Sequence, residues 1–254
     1  MLELYHAGPG SNSLKVLLCL NEKGLAFVGH LISIRDFEQH EPWFLQINPD
    51  GQVPVLLHDG AVITESTVIN EYLDQVFPEV PLRPADALEC ARMRVFTKFV
   101  DEYFRPALSN RAWQELIHHF TDKLSREELE ARIARIPREE KREKWRMAAA
   151  QSFAPEQLAA WRRTLEEGVQ KMERALEAGP WLAGPHYSLA DIAMFSMAVN
   201  MPRGYGEFMN AQRAPRTMDW HARMTARPGV RAALETPTTH IWSARASSER
   251  ARPA

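Results

Sequence analysis

Residues 51–66 read Gly51-Gln52-Val53-Pro54-Val55-Leu56-Leu57-His58-Asp59-Gly60-Ala61-Val62-Ile63-Thr64-Glu65-Ser66. Val53, Val55 and Leu57 alternate with Pro54, Leu56 and His58, the period of a strand. Asp59-Gly60 is a strong hairpin-turn signal, and Val62-Ile63 forms the returning strand. Behind it, Val68, Ile69, Tyr72, Leu73 and Val76 make one apolar stripe in a helical run from Thr67 to Phe77, which puts Ser66 at the N-cap. The unit is strand, turn, strand, helix.

These parts suit one kind of ligand. A proline before a buried strand cannot donate to the ladder. If the Val53–Pro54 bond is cis, the kink turns the N–H and C=O of Val53 outward, where an extended peptide pairs with them. Free N–H groups at the next helix's start bind a carboxylate, aided by Ser66 and the helix dipole. Glu65 answers an ammonium. The ligand implied is a small peptide with a free amine and carboxylate at one end. The structural alternative is an ordinary hairpin followed by a capping box. The spacing from Val53-Pro54 to Glu65-Ser66 is the more specific signal, and here the chain resembles the glutathione transferases. In that family, Val-Pro and Glu-Ser occupy these places in a thioredoxin-like domain and hold glutathione.

The 254 residues allow one large domain or two small ones, and the resemblance favours two. A hydrophobic content of 45% is ample for a core, and 25% charged residues is ordinary for a soluble protein. A formal charge of −2 gives no long-range attraction to nucleic acid or an anionic membrane. No apolar run approaches the ~20 residues of a membrane span, and no signal-peptide pattern opens the chain. Cys19 and Cys90 lie far apart with no Cys-x-x-Cys, which argues against a disulfide framework and thioredoxin-type redox chemistry. A cytoplasmic protein is expected.

Leu2-Glu3-Leu4-Tyr5 alternates as a first strand. The loop Gly8-Pro9-Gly10-Ser11-Asn12-Ser13 follows, then a helix through Leu14, Leu17 and Leu18 stopped by Lys23-Gly24. Gly8-Pro9-Gly10 echoes a dinucleotide-binding loop, but Ser13 stands where the third glycine belongs, so that reading fails. Phe27 to Ile34 is a second strand, leading to a loop with Gln39-His40. The order β-α-β, then β-β-α, is thioredoxin-like. The proline-dense run from Phe77 to Pro84 is the domain boundary. Beyond it the pattern is helical: Cys90 to Leu108 marks a long helix, and Leu158, Trp161, Leu165, Val169 and Met172 another. Asp122 to Arg146, with charges of both signs, reads as a solvated helical hairpin. Ser188-Leu189-Ala190-Asp191 is a capping box before a buried helix, also a feature of the family. The expected architecture is thus α+β: residues 1–80 thioredoxin-like and glutathione-binding, 88–236 all-helical and completing a substrate pocket, 237–254 a loosely held tail.

A thiol has a pKa of about 8.5 and needs a hydrogen-bond donor and a helix N-terminus to ionise. The loop at Ser11, Asn12 and Ser13 offers both, N-capping being the structural alternative. In bacterial transferases resembling this one, cysteine occupies the position of Asn12 and serine follows it. Asn12 removes the mixed-disulfide option and leaves open whether Asn12, Ser13 or both contact the thiolate. By position, the resemblance makes Gln39, His40 and Gln52 donors to the glycyl carboxylate. It also turns Phe104 and Trp113 towards the sulfur, with core packing as the alternative for each. His118-His119 and the other histidines show no metal-ligand spacing, so no metal is expected.

The match narrows further. Phe37-Glu38-Gln39-His40, Trp43-Phe44, Ile47-Asn48-Pro49, Leu82-Arg83-Pro84-Ala85-Asp86, Val100-Asp101-Glu102-Tyr103-Phe104 and Tyr187-Ser188-Leu189-Ala190-Asp191-Ile192 resemble the bacterial lignin β-etherases. The resemblance is weakest from Ser109 to Phe153 and in the tail. It implies attack of glutathione, consumed as co-substrate, on the β-carbon of a β-aryloxy-α-aryl ketone. Configuration inverts, a phenol of the guaiacol type leaves, and a glutathione thioether forms, as in the β(S)-specific branch. It also implies a homodimer. Rival readings are a transferase for another electrophile, of isomerase or dehalogenase type, and a non-catalytic glutathione-binding protein.

Overall fold

The computed structural model describes residues 1–117, 121 and 123–237. His118, His119 and the tail from residue 238 onward lie outside the described residues. A four-stranded sheet in the order β2-β1-β3-β4 is built from β1 (Leu2–His6), β2 (Val28–Leu31), β3 (Val55–His58) and β4 (Ala61–Ile63). β1 runs parallel to β2, with Glu3 opposite Val28, and antiparallel to β3, with Leu4 opposite Leu56. Two strands are shorter than their hydrophobic patterns. β2 stops before Ile34 because the Ser33 N–H turns to the Glu38 carboxylate at 2.8 Å. β3 begins only at Val55, past a cis Val53–Pro54 bond, so Val53 stands outside the strand.

Between β1 and β2 runs α1 (Ser11–Glu22), whose residues Leu14 to Leu20 are all buried. The Gln39-His40 segment is one 3₁₀ turn (Glu38–His40), followed by a short helix not foreseen from the pattern, α2 (Pro42–Ile47). In α3 (Ser66–Val76) the buried face is Ser66, Ile69, Asn70, Leu73 and Asp74. Val68 and Val76, assigned to the apolar stripe by hydropathy, are exposed. The face is rotated because two polar members have partners inside. The Asn70 amide donates to the Lys15 carbonyl at 3.1 Å, and Asp74 accepts from Lys23, the Leu82 N–H and Arg83. Asp74 thereby pins the proline-dense linker against the sheet domain.

The helical part opens with α4 (Ala87–Phe99), a π-helical turn (Val100–Phe104) and α5 (Arg105–Leu116), which follow one another without a break. Next come α6 (Arg126–Ala134), α7 (Glu139–Ala149) and the long α8 (Pro155–Ala175). After these follow α9 (Leu189–Ala198), the single turn α10 (Met201–Gly204), α11 (Pro215–Ala226) and α12 (Pro228–Glu235). The capping box at α9 forms: the Ser188 hydroxyl accepts from the Ala190 N–H, and the Asp191 carboxylate accepts from the Ser188 N–H. α1 packs on α3 on one side and on α9 and α12 on the other, so a single hydrophobic core runs through both halves of the chain. A second cluster corrects the expectation of a solvated hairpin at 122–146. Ile133, Ile136, Trp145 and Ala148 are buried there with Phe37 of the sheet domain, whose ring lies 4.4 Å from that of Trp145.

Candidate active site

A cavity of about 690 Å³ opens along the seam between the two halves, within the ordinary size range of small-molecule sites. The sheet domain contributes Gly10 to Ser13, the Gln39-His40 turn and Gly51 to Val53. Facing them, α5 contributes Arg105 and Trp113, α7 contributes Lys141, Lys144 and Trp145, and the end of α9 and the turn after it contribute Met197, Arg203 and Tyr205.

α1 begins without the side-chain cap that a serine-rich start implies. Gly10 sits at the N-cap and no side chain bonds back to the helix. Ser11 enters with φ +49°, a left-handed conformation that non-glycine residues adopt at a cost of about 1–2 kcal/mol and that concentrates at working sites. Ser13 is buried, and its Oγ accepts from the Ala7 N–H at 3.2 Å. A hydroxyl that accepts from the backbone still has its own proton to donate. Asn12 has its Oδ1 buried with no hydrogen-bond partner. All three residues line the cavity.

Across from them lie the residues expected to bind the glycyl carboxylate. Gln39, His40 and Gln52 line the cavity beside Val53, while Pro54 is buried behind it. Gln39 Oε1 and His40 Nδ1 are buried without partners. Burial, with the charges of Lys141 and Arg135 nearby, pushes the His40 pKa down to about 4, so its imidazole is neutral at pH 7. The turn is held by close approach: Gly51 has φ +58°, and a Cβ there would stand 2.4 Å from His40 Nδ1.

With Glu65 and Ser66, α3 begins one position earlier than the capping pattern implied. Glu65 is the N-cap, at φ +65°, and Ser66 is the first helical residue. Neither is on the cavity wall. Glu65 is close enough to Lys15 and Lys141 for its charge to favour their protonated forms, although burial lowers both pKa values overall.

Of the two aromatics expected in the pocket, Trp113 lines it and Phe104 does not. Phe104 is fully buried in the main core, its ring seated where a Cβ on Gly168 of α8 would come within 2.4 Å. Sequence reasoning missed the basic wall. Lys141, Lys144, Trp145 and Ala148 fall at helical spacing on one face of α7. Glu139, Glu140 and Glu143 of the same helix pair outward with Arg142, Arg138 and Arg146. The stripe was the available signal, hidden among alternating charges. Lys141 Nζ is buried without a partner. Lys144 Nζ lies 4.4 Å over the Trp113 ring. Among the described residues no cluster of His, Cys, Asp and Glu is placed to hold a metal ion.

The family description "Glutathione S-transferase, N-terminal domain" matches residues 10–76, and "Glutathione S-transferase, C-terminal domain" matches 155–233. The chain is 44% identical over 240 residues to protein LigF of Sphingobium sp. (strain NBRC 103272 / SYK-6), covering 92% of this chain and 93% of that one. The crystal structure of that protein, described as the β-etherase LigF, superposes with a TM-score of 0.89 over 92% of this chain and 98% of that chain. Glutathione S-transferase 1 of Dianthus caryophyllus is 27% identical over 207 residues, 81% of this chain and 79% of its own length. A glutathione transferase from Burkholderia graminis, solved with two glutathione molecules per subunit, is 25% identical with a TM-score of 0.70 over 93% of this chain and 88% of that one. A thioredoxin-like sheet with a cis Val-Pro, a helical second half and identity sustained along both chains leave one conclusion: the protein belongs to the glutathione S-transferase superfamily.

Proposed function

We propose that the protein is a β-etherase: it cleaves lignin-derived α-keto β-aryl ethers by attack of the glutathione thiolate at the β-carbon. One observation carries the glutathione reading. Asn12 Oδ1, Gln39 Oε1, His40 Nδ1 and Lys141 Nζ are all buried without hydrogen-bond partners, and all four residues line one cavity. Buried polar atoms are rarely left unpaired, so four on residues around one cavity call for a polar ligand. Glutathione supplies amide, carboxylate and ammonium groups to answer them. Gln39, His40, Gln52 and Lys141 take its glycyl end. Val53, beside Pro54, pairs with its extended backbone. The N-terminus of α3 with Ser66 takes the γ-glutamyl carboxylate, and Glu65 its ammonium. Ser13 and Asn12 then face the sulfur at the N-terminus of α1, where hydrogen bonds and the helix dipole favour the thiolate.

The choice of reaction rests on the likeness to a β-etherase along almost the whole chain. The carbon–sulfur bond forms as the β-carbon–oxygen bond breaks, configuration inverts, and the aryloxide leaves with the bonding electrons. No oxidant or reductant is needed. The α-carbonyl activates the adjacent carbon, so the enzyme's part is ionisation and alignment, the latter worth ~7–11 kcal/mol when reacting atoms are held at near-attack distance. Trp113, Trp145 and Tyr205 offer flat apolar walls for two aryl rings. Incubation with glutathione and each enantiomer of a guaiacyl ether ketone tests this: the β(S) form should release guaiacol and a glutathione thioether. Turnover only of simple halides would instead identify a transferase for other electrophiles. Bound glutathione that stays un-ionised by ultraviolet difference absorbance would identify a binding protein.

No helix among the described residues is long and apolar enough to cross a membrane. We take the working form to be a cytoplasmic homodimer, residues 1–80 binding glutathione and 88–236 completing the pocket. Val62, Val68, Leu88, Val95 and Tyr103, on β4, α3, α4 and the π turn, are exposed apolar side chains consistent with a partner face. Sedimentation at micromolar concentration should give twice the 29.0 kDa of one chain, and a monomer alone rejects the dimer.

A further inference from the structure

The leaving aryloxide departs as a base, and among the described residues no carboxylic acid lines the cavity to protonate it. We infer that Lys144 is a catalytic residue of this reaction, donating its ammonium proton to the phenoxide oxygen as the carbon–oxygen bond breaks. The inference rests on the β-etherase reading and adds to it the group that discharges the leaving oxygen.

Two cationic side chains reach the cavity from α7 one turn apart, and their surroundings separate their roles. Lys141 belongs to the glutathione side: its charge acts on His40, and it feels the carboxylates of Asp50 and Glu65. Lys144 points the other way, towards α5. Its Nζ lies over the face of Trp113, its charged neighbours are Arg105 on α5 and Lys141 on its own helix, and no described carboxylate pairs with it. An ammonium over an aromatic ring, in a cavity sized for aryl groups, is placed to meet an aryl oxygen. The ring's negative face holds the cation without satisfying its N–H donors, so they remain available to the substrate.

Burial, reinforced by the charges of Arg105 and Lys141, pushes the Lys144 pKa down to about 8. An ordinary phenol has a pKa of about 10, so transfer from Lys144 to phenoxide runs downhill by roughly two units, whereas an unshifted lysine would sit level with it. The balance is complete. The thiolate forms the carbon–sulfur bond, the ether oxygen keeps the electron pair, and the proton moves from Nζ to that oxygen. The neutral amine then recovers a proton from solvent, equivalent to the one the thiol released on binding. Because the region from Ser109 to Phe153 is where the family resemblance is weakest, this acid was not legible from motif matching.

The test measures kcat/KM for wild type, K144M and K144R on β-aryloxy ketones whose leaving groups run from 4-methoxyphenol to 4-nitrophenol. K144M should lose about a hundredfold on the methoxyphenyl ether and only a few-fold on the nitrophenyl ether, since a weakly basic oxide needs no proton. K144R keeps the charge but holds its proton too tightly to give it, and should show the same steepened dependence. The thiol pKa of bound glutathione should be the same in all three proteins, showing that the fold and the thiolate site are intact. A uniform loss across the series, no loss, or full rescue by arginine overturns the role of Lys144. Wild type that releases no phenol from any ether overturns the β-etherase reading itself, and this role with it.

Discussion

At the scale of single residues, the proposed sulfur end of the site offers neutral donors alone. Ser13 Oγ accepts from the Ala7 N–H and keeps its own proton to give, and Asn12 offers a carboxamide N–H, so neither supplies a full charge. The helix N-terminus adds ~0.3–1 kcal/mol whichever side chain is removed. Stabilisation is therefore shared: Ser13→Ala and Asn12→Ala should each cost roughly three- to a hundredfold in kcat/KM and raise the thiol pKa of bound glutathione, and the double variant more. Wild-type rates and thiol pKa in all three would reduce the loop to a helix start. A second expectation concerns a residue with no side chain. Gly51→Ala meets both a positive φ and His40 at 2.4 Å, so it should displace the imidazole and weaken glutathione binding about tenfold. Calorimetry on Gly51→Ala, His40→Ala and the double variant should give non-additive losses, whereas additive ones would separate the glycine from the histidine. The cavity-lining residues of the sheet domain were legible because their spacing is rigid: Gly51 to Val53 and Gln39-His40 sit on tight turns whose sequences are distinctive. Phe104 and Trp113 were not separable, because both are aromatic and nine residues apart. Only the gap left by Gly168 decides which of them goes to the core.

At the scale of elements, polar side chains set the faces that hydropathy alone assigned. α3 presents Asn70 and Asp74 inward because each has buried partners, which turns Val68 out to solvent. The same reasoning makes the start of α9 a critical joint. Asp191 accepts from the Leu182 N–H at 3.0 Å, the Ser188 N–H at 3.0 Å, the Ser188 hydroxyl at 3.2 Å and the Trp220 indole at 2.9 Å. One carboxylate thus caps a helix and fastens both the 182 loop and α11 to it. Asp191→Ala leaves those donors buried and should cost roughly 3 kcal/mol or more, visible as a lower urea midpoint. Asp191→Asn keeps one acceptor oxygen and should cost less. Equal midpoints for Asp191→Ala and wild type would make the box ornamental. This element was readable from Ser188-Leu189-Ala190-Asp191 because a capping box is local in sequence. The α6–α7 hairpin was misread for the opposite reason. Its buried side is defined by Phe37, more than ninety residues earlier, and an alternation of Glu, Lys and Arg carries no mark of which charges face a distant cavity.

At the scale of the whole molecule, α1 is the seam, and a buried charge network fastens it. Lys15 is 1% exposed at its side chain, and its Nζ donates to Asp101 at 2.6 Å and to the Thr67 hydroxyl at 3.1 Å. Thr67 in turn donates to the other Asp101 oxygen at 2.6 Å. α1, α3 and the π-helical turn therefore meet at one ion pair, two positions from Ser13. Arg227 adds a two-pronged pair to Glu22 at the far end of the same helix. Burial lowers the Lys15 pKa, opposed by the Asp101 charge beside it. Removing the anion should be worse than removing the cation, because an unpaired ammonium stays buried. Asp101→Ala should cost about 3–5 kcal/mol of unfolding free energy, Lys15→Met clearly less, and the double variant should resemble Lys15→Met. The sign of the pH dependence separates this cause from lost packing. In Asp101→Ala the folded-state lysine pKa falls further below its unfolded value of about 10.4, so the unfolded chain binds more protons over that interval. Stability of that variant relative to wild type must then recover as pH rises from 7 towards 10. Urea unfolding at several pH values measures it: a deficit constant across the range would mean that Asp101 contributes shape to the seam and not charge.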